Sequence, residues 1–204
     1  MTKLKIEMPA DIPAKYRKKW IKISNVLRSS LGIPIKMVTK TGAIVKQTTT
    51  RKSDLDIGFV ASTNVSKPDL LVSVEKTMTN TFGKVAHIHA SSNAVHVDFL
   101  EHDKLKVDAV PMTKEHLVKE KELDGQIYQL SGEKKKAIRV VKMTLDSIFG
   151  ELVKSYEVES AVKQSKKNDL KQLIRHGINF FRGRIEKKGY SVECVYGTAM
   201  HYIK

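Results

Sequence analysis

Apolar positions along the chain keep helical and strand periods in turn. Trp20, Ile23, Val26, Leu27 and Leu31 recur near helical spacing. Pro13 suits a first helical turn, and Gly32 and Pro34 follow the last apolar position, so a helix is expected over 13–31. A Thr/Lys-rich stretch follows, from Lys36 to Ser53. Leu55-Asp56-Ile57-Gly58-Phe59-Val60 then reads as a short strand, closed by Ser, Asn and Pro. A second helix is predicted over 68–81, with Leu70, Leu71, Val74 and Met78 on one side. Val85 to Ile88 begins an apolar stretch, and residues 94–100 and 104–110 alternate in the strand manner until Pro111. Glu101-His102-Asp103 between them reads as a hairpin turn. Residues 113–132 are polar and read as a loop with some helix.

The C-terminal third has a helical period. Ile138, Val141, Leu145 and Ile148 mark a helix from Lys134 to Phe149, and another is expected from about Val153 to Gln164. Leu170, Leu173, Ile174, Ile178 and Phe181 share one face of a third, from Asn168 to about Lys187, which Gly189 ends. Ser191 to Tyr196 reads as a terminal strand. Strands followed by a helical third give an α+β fold. There is no internal repeat and no low-complexity segment.

Composition narrows the classes. The 204 residues suit one domain or a compact pair of lobes, and 41% hydrophobic residues can supply a core. No apolar run reaches bilayer length, so no membrane is expected as a partner. The opening residues mix charges and lack the apolar core of a signal peptide. One cysteine, Cys194, excludes an internal disulfide and cysteine-pair zinc sites; it points to a reducing, cytoplasmic setting and to a buried packing role. Lys and Arg total 37 against 22 Asp and Glu, a formal charge of +15. Such an excess favours a polyanionic partner: nucleic acid, nucleotides or an acidic surface.

Ser53-Asp54-Leu55-Asp56 is the most informative stretch. Residues i and i+2 of a strand point to one face, so Asp54 and Asp56 project together between apolar neighbours. Adjacent carboxylates resist ionising together, and a divalent cation resolves the conflict. Asp108 repeats the arrangement between Val107 and Ala109. Three carboxylates on adjacent strands can hold two Mg²⁺ ions roughly 3.5–4 Å apart, as in-line phosphoryl transfer requires, and Mn²⁺ can substitute. Asp-x-Asp alone also describes a strand end that faces water. Other chemistry is weaker. His87 and His89 share a strand face and His96 lies nearby, without the spacing of a zinc site. Ser53, Ser91 and Ser92 lack a nucleophile-elbow context. Phe180 and Phe181 beside Arg182 and Arg184 suit either a core or a single-strand binder. Lys166, Lys167, Lys171 and Arg175 suit a basic helical face for nucleic acid.

The spacing of Gly42, Thr48, Ser53, Asp54 and Asp56 resembles the signature of polymerase-β-like nucleotidyltransferases: oligoadenylate synthases, cyclic GMP-AMP synthase-like enzymes, CCA-adding enzymes and poly(A) polymerases. Val95 to Pro111 resembles the segment carrying their third carboxylate, and Lys142 followed by Ser155-Tyr156-Glu157-Val158-Glu159 resembles their later region. Ala43 stands where the family has Ser, and Gln47 where it has a second Gly. The resemblance implies a catalytic core over 1–132 and a helical lobe over 133–204 that completes a nucleotide cleft. It implies metal binding by Asp54, Asp56 and Asp108, with Asp108 acting on the attacking hydroxyl. Gly42, Ala43, Thr48, Ser53, Lys142, Ser155 and Tyr156 would bind the nucleotide: backbone amides around Gly42 at the triphosphate, Lys142 and Ser155 at its outer phosphates, and Tyr156 stacked on the base. The implied activity is template-independent transfer of a nucleoside monophosphate from an NTP to an RNA 3′ end or a nucleotide. The alternative is a weak or inactive relative that binds RNA.

Overall fold

A computed structural model describes residues 14–50, 53–101, 105–149 and 153–203. Pro13 and most of the expected turn at 101–103 lie outside the described residues. The chain divides into two compact units, one of described residues 14–46 and 53–125, the other of 47–50 and 126–203.

The first unit holds α1 (Ala14–Ser29), β1 (Ile35–Thr41), α2 (Ala43–Lys46), β2 (Leu55–Ala61), α3 (Lys67–Phe82), β3 (Ala86–Ala90), β4 (Val95–Phe99), β5 (Lys106–Pro111) and most of α4 (Lys114–Tyr128). The strands form one sheet in the order β1-β2-β5-β4-β3. β2 and β5 are parallel, and the other neighbours are antiparallel. Alternation sends Leu55, Ile57, Phe59, Val95, Val97, Val107 and Ala109 to one face, all 0% exposed. Ile23 and Leu27 of α1 and Leu70, Leu71, Val74, Met78 and Phe82 of α3 pack into the same core. Each such side chain contributes about 1.5–3 kcal/mol of burial. The Ser66 side chain caps α3 by accepting from the Asp69 N–H at 3.3 Å, and Pro68 occupies its first turn.

The opposite face is polar. One row runs across all five strands in register: Thr41, Asp56, Asp108, His96 and His89. Beside it, Lys106 pairs with Asp98, and Asp98 with His87. The sheet therefore buries one side and offers the other for chemistry.

The Thr/Lys-rich stretch carries β1 and α2, and β1 gains its ladder from β2. One expectation in this unit is corrected. Residues 114–128 form a full helix, not a loop: α4 is rich in Glu and Lys and buries few positions, Leu117 and Asp124 among them, so its period is faint.

The second unit holds α5 (Gly132–Phe149), α6 (Ser155–Gln164), α7 (Leu170–Phe180), α8 (Arg182–Lys187) and α9 (Val192–His201). Its core joins Ile138, Val141 and Leu145 of α5 to Val158 and Val162 of α6 and to Leu173, Ile174 and Ile178 of α7. A β-carbon on Gly177 would meet Val141 at 3.0 Å and Val162 at 3.1 Å, so α7 lies close against both partners. The single helix expected over 168–187 is two, because Phe181 leaves helical backbone geometry (φ −98°, ψ 12°) and is itself buried. The expected terminal strand is helix α9. The Ser191 side chain accepts from the Cys194 N–H at 3.1 Å, and Val192, Val195 and Ala199 are buried at helical spacing. Cys194 is exposed, correcting the expected packing role, because that spacing turns it away from the core.

A candidate active site of three carboxylates

β2 and β5 lie side by side with Asp56 opposite Asp108 and Leu55 opposite Val107. Leu55 and Val107 fill the core, so both aspartates point to the polar face. Burial first, then the Asp108 and Asp54 charges, push the Asp56 carboxyl up to about 7, with Lys46 opposing. Burial, then Asp108, push Asp54 up to about 6, with Lys106 opposing. The structure thus brings the three acids of the sequence motif together as mutually repelling neighbours.

Gly42 closes the site from β1. It adopts φ +76°, in the left-handed region, and a β-carbon there would collide with the Asp56 carboxylate. Gly42→Ala combines a backbone cost of about 1–2 kcal/mol with crowding worth about 1–3 kcal/mol. We expect urea denaturation to show a loss of roughly 2–4 kcal/mol. A loss under about 0.5 kcal/mol, the range of ordinary surface changes, would refute the close approach. Gln47 is the one non-glycine left-handed position among the described residues, at φ 59°, where the resembled signature has glycine. Its Oε1 accepts from Lys135 Nζ at 2.9 Å. Burial, then the Arg139 charge, hold the Lys135 ammonium pKa below the usual lysine value.

Sequence reasoning missed three residues beside the acids. Lys46, at the end of α2, lies 3.4 Å from Asp124 of α4, and both are almost fully buried. Burial pushes Asp124 up to about 6, against the favourable Lys46 charge and the Gly42 backbone N–H. This pair ties the Gly42 turn to α4, and the Lys46 charge also favours ionised Asp56. The third is His96, whose Nδ1 lies 2.8 Å from Asp108 Oδ1. Its outer neighbour His89 stacks on it with ring centroids 4.7 Å apart. Only the Lys46 spacing after Gly42 could have hinted at any of these.

Among the described residues, no three His, Cys, Asp or Glu side chains converge as a ready ion cage. Asp108 directs one oxygen to His96, while burial first, then the charges of Asp108 and Asp54, raise the Asp56 pKa. The donor set still fits hard divalent ions, which bind carboxylate oxygen and relieve this kind of repulsion.

The other expected residues lie as follows. Thr48 is fully buried and donates to Glu159 Oε1 at 3.3 Å, while Lys142 Nζ lies 2.7 Å from the same oxygen. Lys142 and Thr48 are therefore brought together around a buried acid. Ser155 and Tyr156 open α6 and are exposed. Ala43 opens α2, and Ser53 lies just before Asp54, both half-buried. Lys166, Lys167, Lys171 and Arg175 are exposed; Arg175 pairs with Glu193 at 2.6 Å. Phe181 is core, whereas Phe180 is 55% exposed.

No protein-family model and no curated protein matches the chain. Among solved structures it is similar to E. coli MS115-1 CdnC with ATP, at TM-score 0.59 and 14% identity over 83% of this chain. It spans 64% of the CdnC chain, just under two thirds of that protein. It is similar to Bradyrhizobium diazoefficiens CdnG with GTP, a CD-NTase, at TM-score 0.62 and 11% identity, covering 94% of this chain and 84% of that one. It is also similar to the Cid1 poly(U) polymerase with MgGTP, at TM-score 0.60 and 10% identity, covering 84% and 70%. These neighbours are nucleotidyltransferases, and at such identity the likeness is one of architecture. The five-stranded mixed sheet with its acidic face, flanked by helices, has the polymerase-β-like nucleotidyltransferase fold.

Proposed function

We propose that the chain is a template-independent nucleotidyltransferase. It moves a nucleoside monophosphate from an NTP to a hydroxyl of an RNA 3′ end or of a nucleotide. The observation that carries this is the pairing of Asp56 with Asp108 across parallel strands, with Asp54 coupled to both. Asp54 and Asp56 would hold two Mg²⁺ ions, and Asp108 one of them. Bound there, Mg²⁺ supplies charge neutralisation for the phosphates and a lowered pKa for the attacking hydroxyl. The hydroxyl oxygen forms the new bond to the α-phosphorus as the bond to the leaving pyrophosphate breaks. Asp108 takes the hydroxyl proton. The buried Lys46–Asp124 pair holds the Gly42 turn, whose backbone amides serve the triphosphate, with Ala43 and Ser53 beside it. Residues 1–132 are the catalytic core in this reading, and 133–204 complete nucleotide binding. Exposed Ser155 serves the phosphates and exposed Tyr156 the base, while Lys142 and Thr48 support α6 through Glu159. A cytoplasmic setting suits the single cysteine, and no helix among the described residues is long and apolar enough to cross a membrane.

A second reading keeps the fold for RNA binding without turnover. Ala43 in place of the family's Ser, and the exposed Lys166, Lys167 and Lys171, favour it. One experiment separates the two: each labelled NTP with Mg²⁺ or Mn²⁺, with and without RNA. Transfer by the wild type, lost by at least a thousandfold in Asp54→Ala and Asp108→Ala, is the expected result; about a thousandfold is the scale of a lost transition-state charge contact. RNA retention without product from any NTP would establish the second reading.

A further inference from the structure

The β3–β4 hairpin places a hydrogen-bond chain against the third carboxylate. His96 Nδ1 lies 2.8 Å from Asp108 Oδ1, and its Nε2 lies 3.0 Å from Ser91 Oγ. Ser91 sits in the turn between the strands. Its Oγ accepts from the Asn93 N–H at 3.3 Å and from the Ala94 N–H at 3.2 Å. A hydroxyl oxygen has two lone pairs and one proton. Both lone pairs serve the turn, so the proton is what Ser91 offers. Its two acceptors in reach are Ala94 O at 3.2 Å and His96 Nε2 at the shorter 3.0 Å. In the tautomer in which Nε2 accepts that proton, the ring proton is on Nδ1 and Nδ1 donates to Asp108.

We propose that His96 is a positioning residue for Asp108, with Ser91 fixing its tautomer; the proposal rests on the nucleotidyltransferase reading above. The ring occupies Oδ1 and fixes the rotation of the carboxylate, which leaves Oδ2 as the oxygen offered to a cation or an acceptor hydroxyl. Cross-strand register supports the assignment, since His96 stands opposite Asp108 and His89 stacks on the outer side of the ring. The ring is thus held from both sides and from the turn. Partners that orient a ligating carboxylate in this way are worth roughly ten- to a hundredfold in metal affinity or activity.

The test uses the full chain and substitutions that separate the two ring nitrogens. The asparagine amide nitrogen branches from the same carbon as Nδ1, so His96→Asn keeps the donor to Asp108 and loses the Ser91 link. His96→Gln puts its amide further out and loses the donor to Asp108. Mn²⁺ affinity by calorimetry and by electron paramagnetic resonance is the first readout. We expect roughly a tenfold or greater loss in His96→Ala and His96→Gln, most of it restored in His96→Asn, and a smaller loss in Ser91→Ala. Imidazole ¹⁵N shifts of His96 are the second: the Nδ1–H tautomer in wild type, and mixed tautomers in Ser91→Ala. Where transfer is measured, kcat falls in His96→Ala while KM for the NTP stays within about twofold, as for a group acting at the transition state. His96→Ala with wild-type Mn²⁺ affinity, beside a weakened Asp108→Ala, overturns the proposal and leaves the functional reading standing. An Nε2–H tautomer in wild type also overturns it. A wild type that binds no Mn²⁺ overturns both together.

Discussion

We expect Asp56→Asn to raise the stability of the metal-free protein at pH 8 and, on the proposed reading, to abolish nucleotidyl transfer. The Asp56 carboxyl rises from 3.8 to about 7 because it is buried beside Asp108 and Asp54. Between pH about 4 and about 7 the folded protein keeps a proton there that the unfolded chain has released. Stability of the metal-free protein therefore falls as pH rises across that window and is flat above it, as far as Asp56 is concerned. Asp54, raised to about 6, adds a fall of the same sign up to that pH. At 1.36 kcal/mol per unit the Asp56 shift corresponds to roughly 4 kcal/mol. Relaxation around the site reduces the recoverable part to about 1–3 kcal/mol, a rise in Tm of roughly 3–10 °C. The amide removes the charge and keeps the volume, so Asn escapes the penalty. Added Mg²⁺ at pH 8 stabilises wild type and leaves Asp56→Asn nearly unmoved. Calorimetric melting from pH 4 to 8, with and without Mg²⁺, checks each part. A wild-type Tm that climbs from pH 5 to 8 without metal would refute the repulsion.

The second large effect is expected from Lys142→Met. Lys142 lies 2.7 Å from Glu159 and 3.3 Å from the Thr48 hydroxyl, and all three are buried. Removing the ammonium leaves a buried carboxylate without that counter-charge, which costs roughly 3–5 kcal/mol. Pairing the change with Glu159→Gln removes the carboxylate charge as well, and most of the loss should return. Chemical denaturation of the two single variants and the double variant reads this cycle. A residue that served only the triphosphate would behave otherwise, raising KM for the NTP with unfolding unchanged. That outcome would move Lys142 from the support of α6 to the substrate.

The acids were legible in the sequence because strand alternation is a local rule. Asp54 and Asp56 share a face once β2 is read as a strand, and Asp108 needs only the same rule on β5. Their partners were not legible. His96 meets Asp108 only because β4 is next to β5 in the sheet with that register, a long-range fact. Lys46 and Asp124 meet because α4 returns to the Gly42 turn, and α4 itself was hidden by its many charges. Helix α9 was misread since Val, Cys, Val and Tyr favour strands locally, while tertiary burial of Val192, Val195 and Ala199 decides for helix. The Ser191 cap was the available signal.

The strand order has a consequence for how the chain folds. β5 enters between β2 and β4, so the sheet cannot grow by neighbouring hairpins alone. Until β5 docks, the β1–β2 and β3–β4 pairs each present an open edge, the kind of surface that recruits other chains. Next to these open edges, β2 carries Asp56 and β4 carries His96 and Asp98 on the polar face. Polar groups on open edges discourage pairing with a wrong strand. Replacing these polar residues with apolar ones is therefore expected to raise aggregation during refolding, beyond any effect on the site.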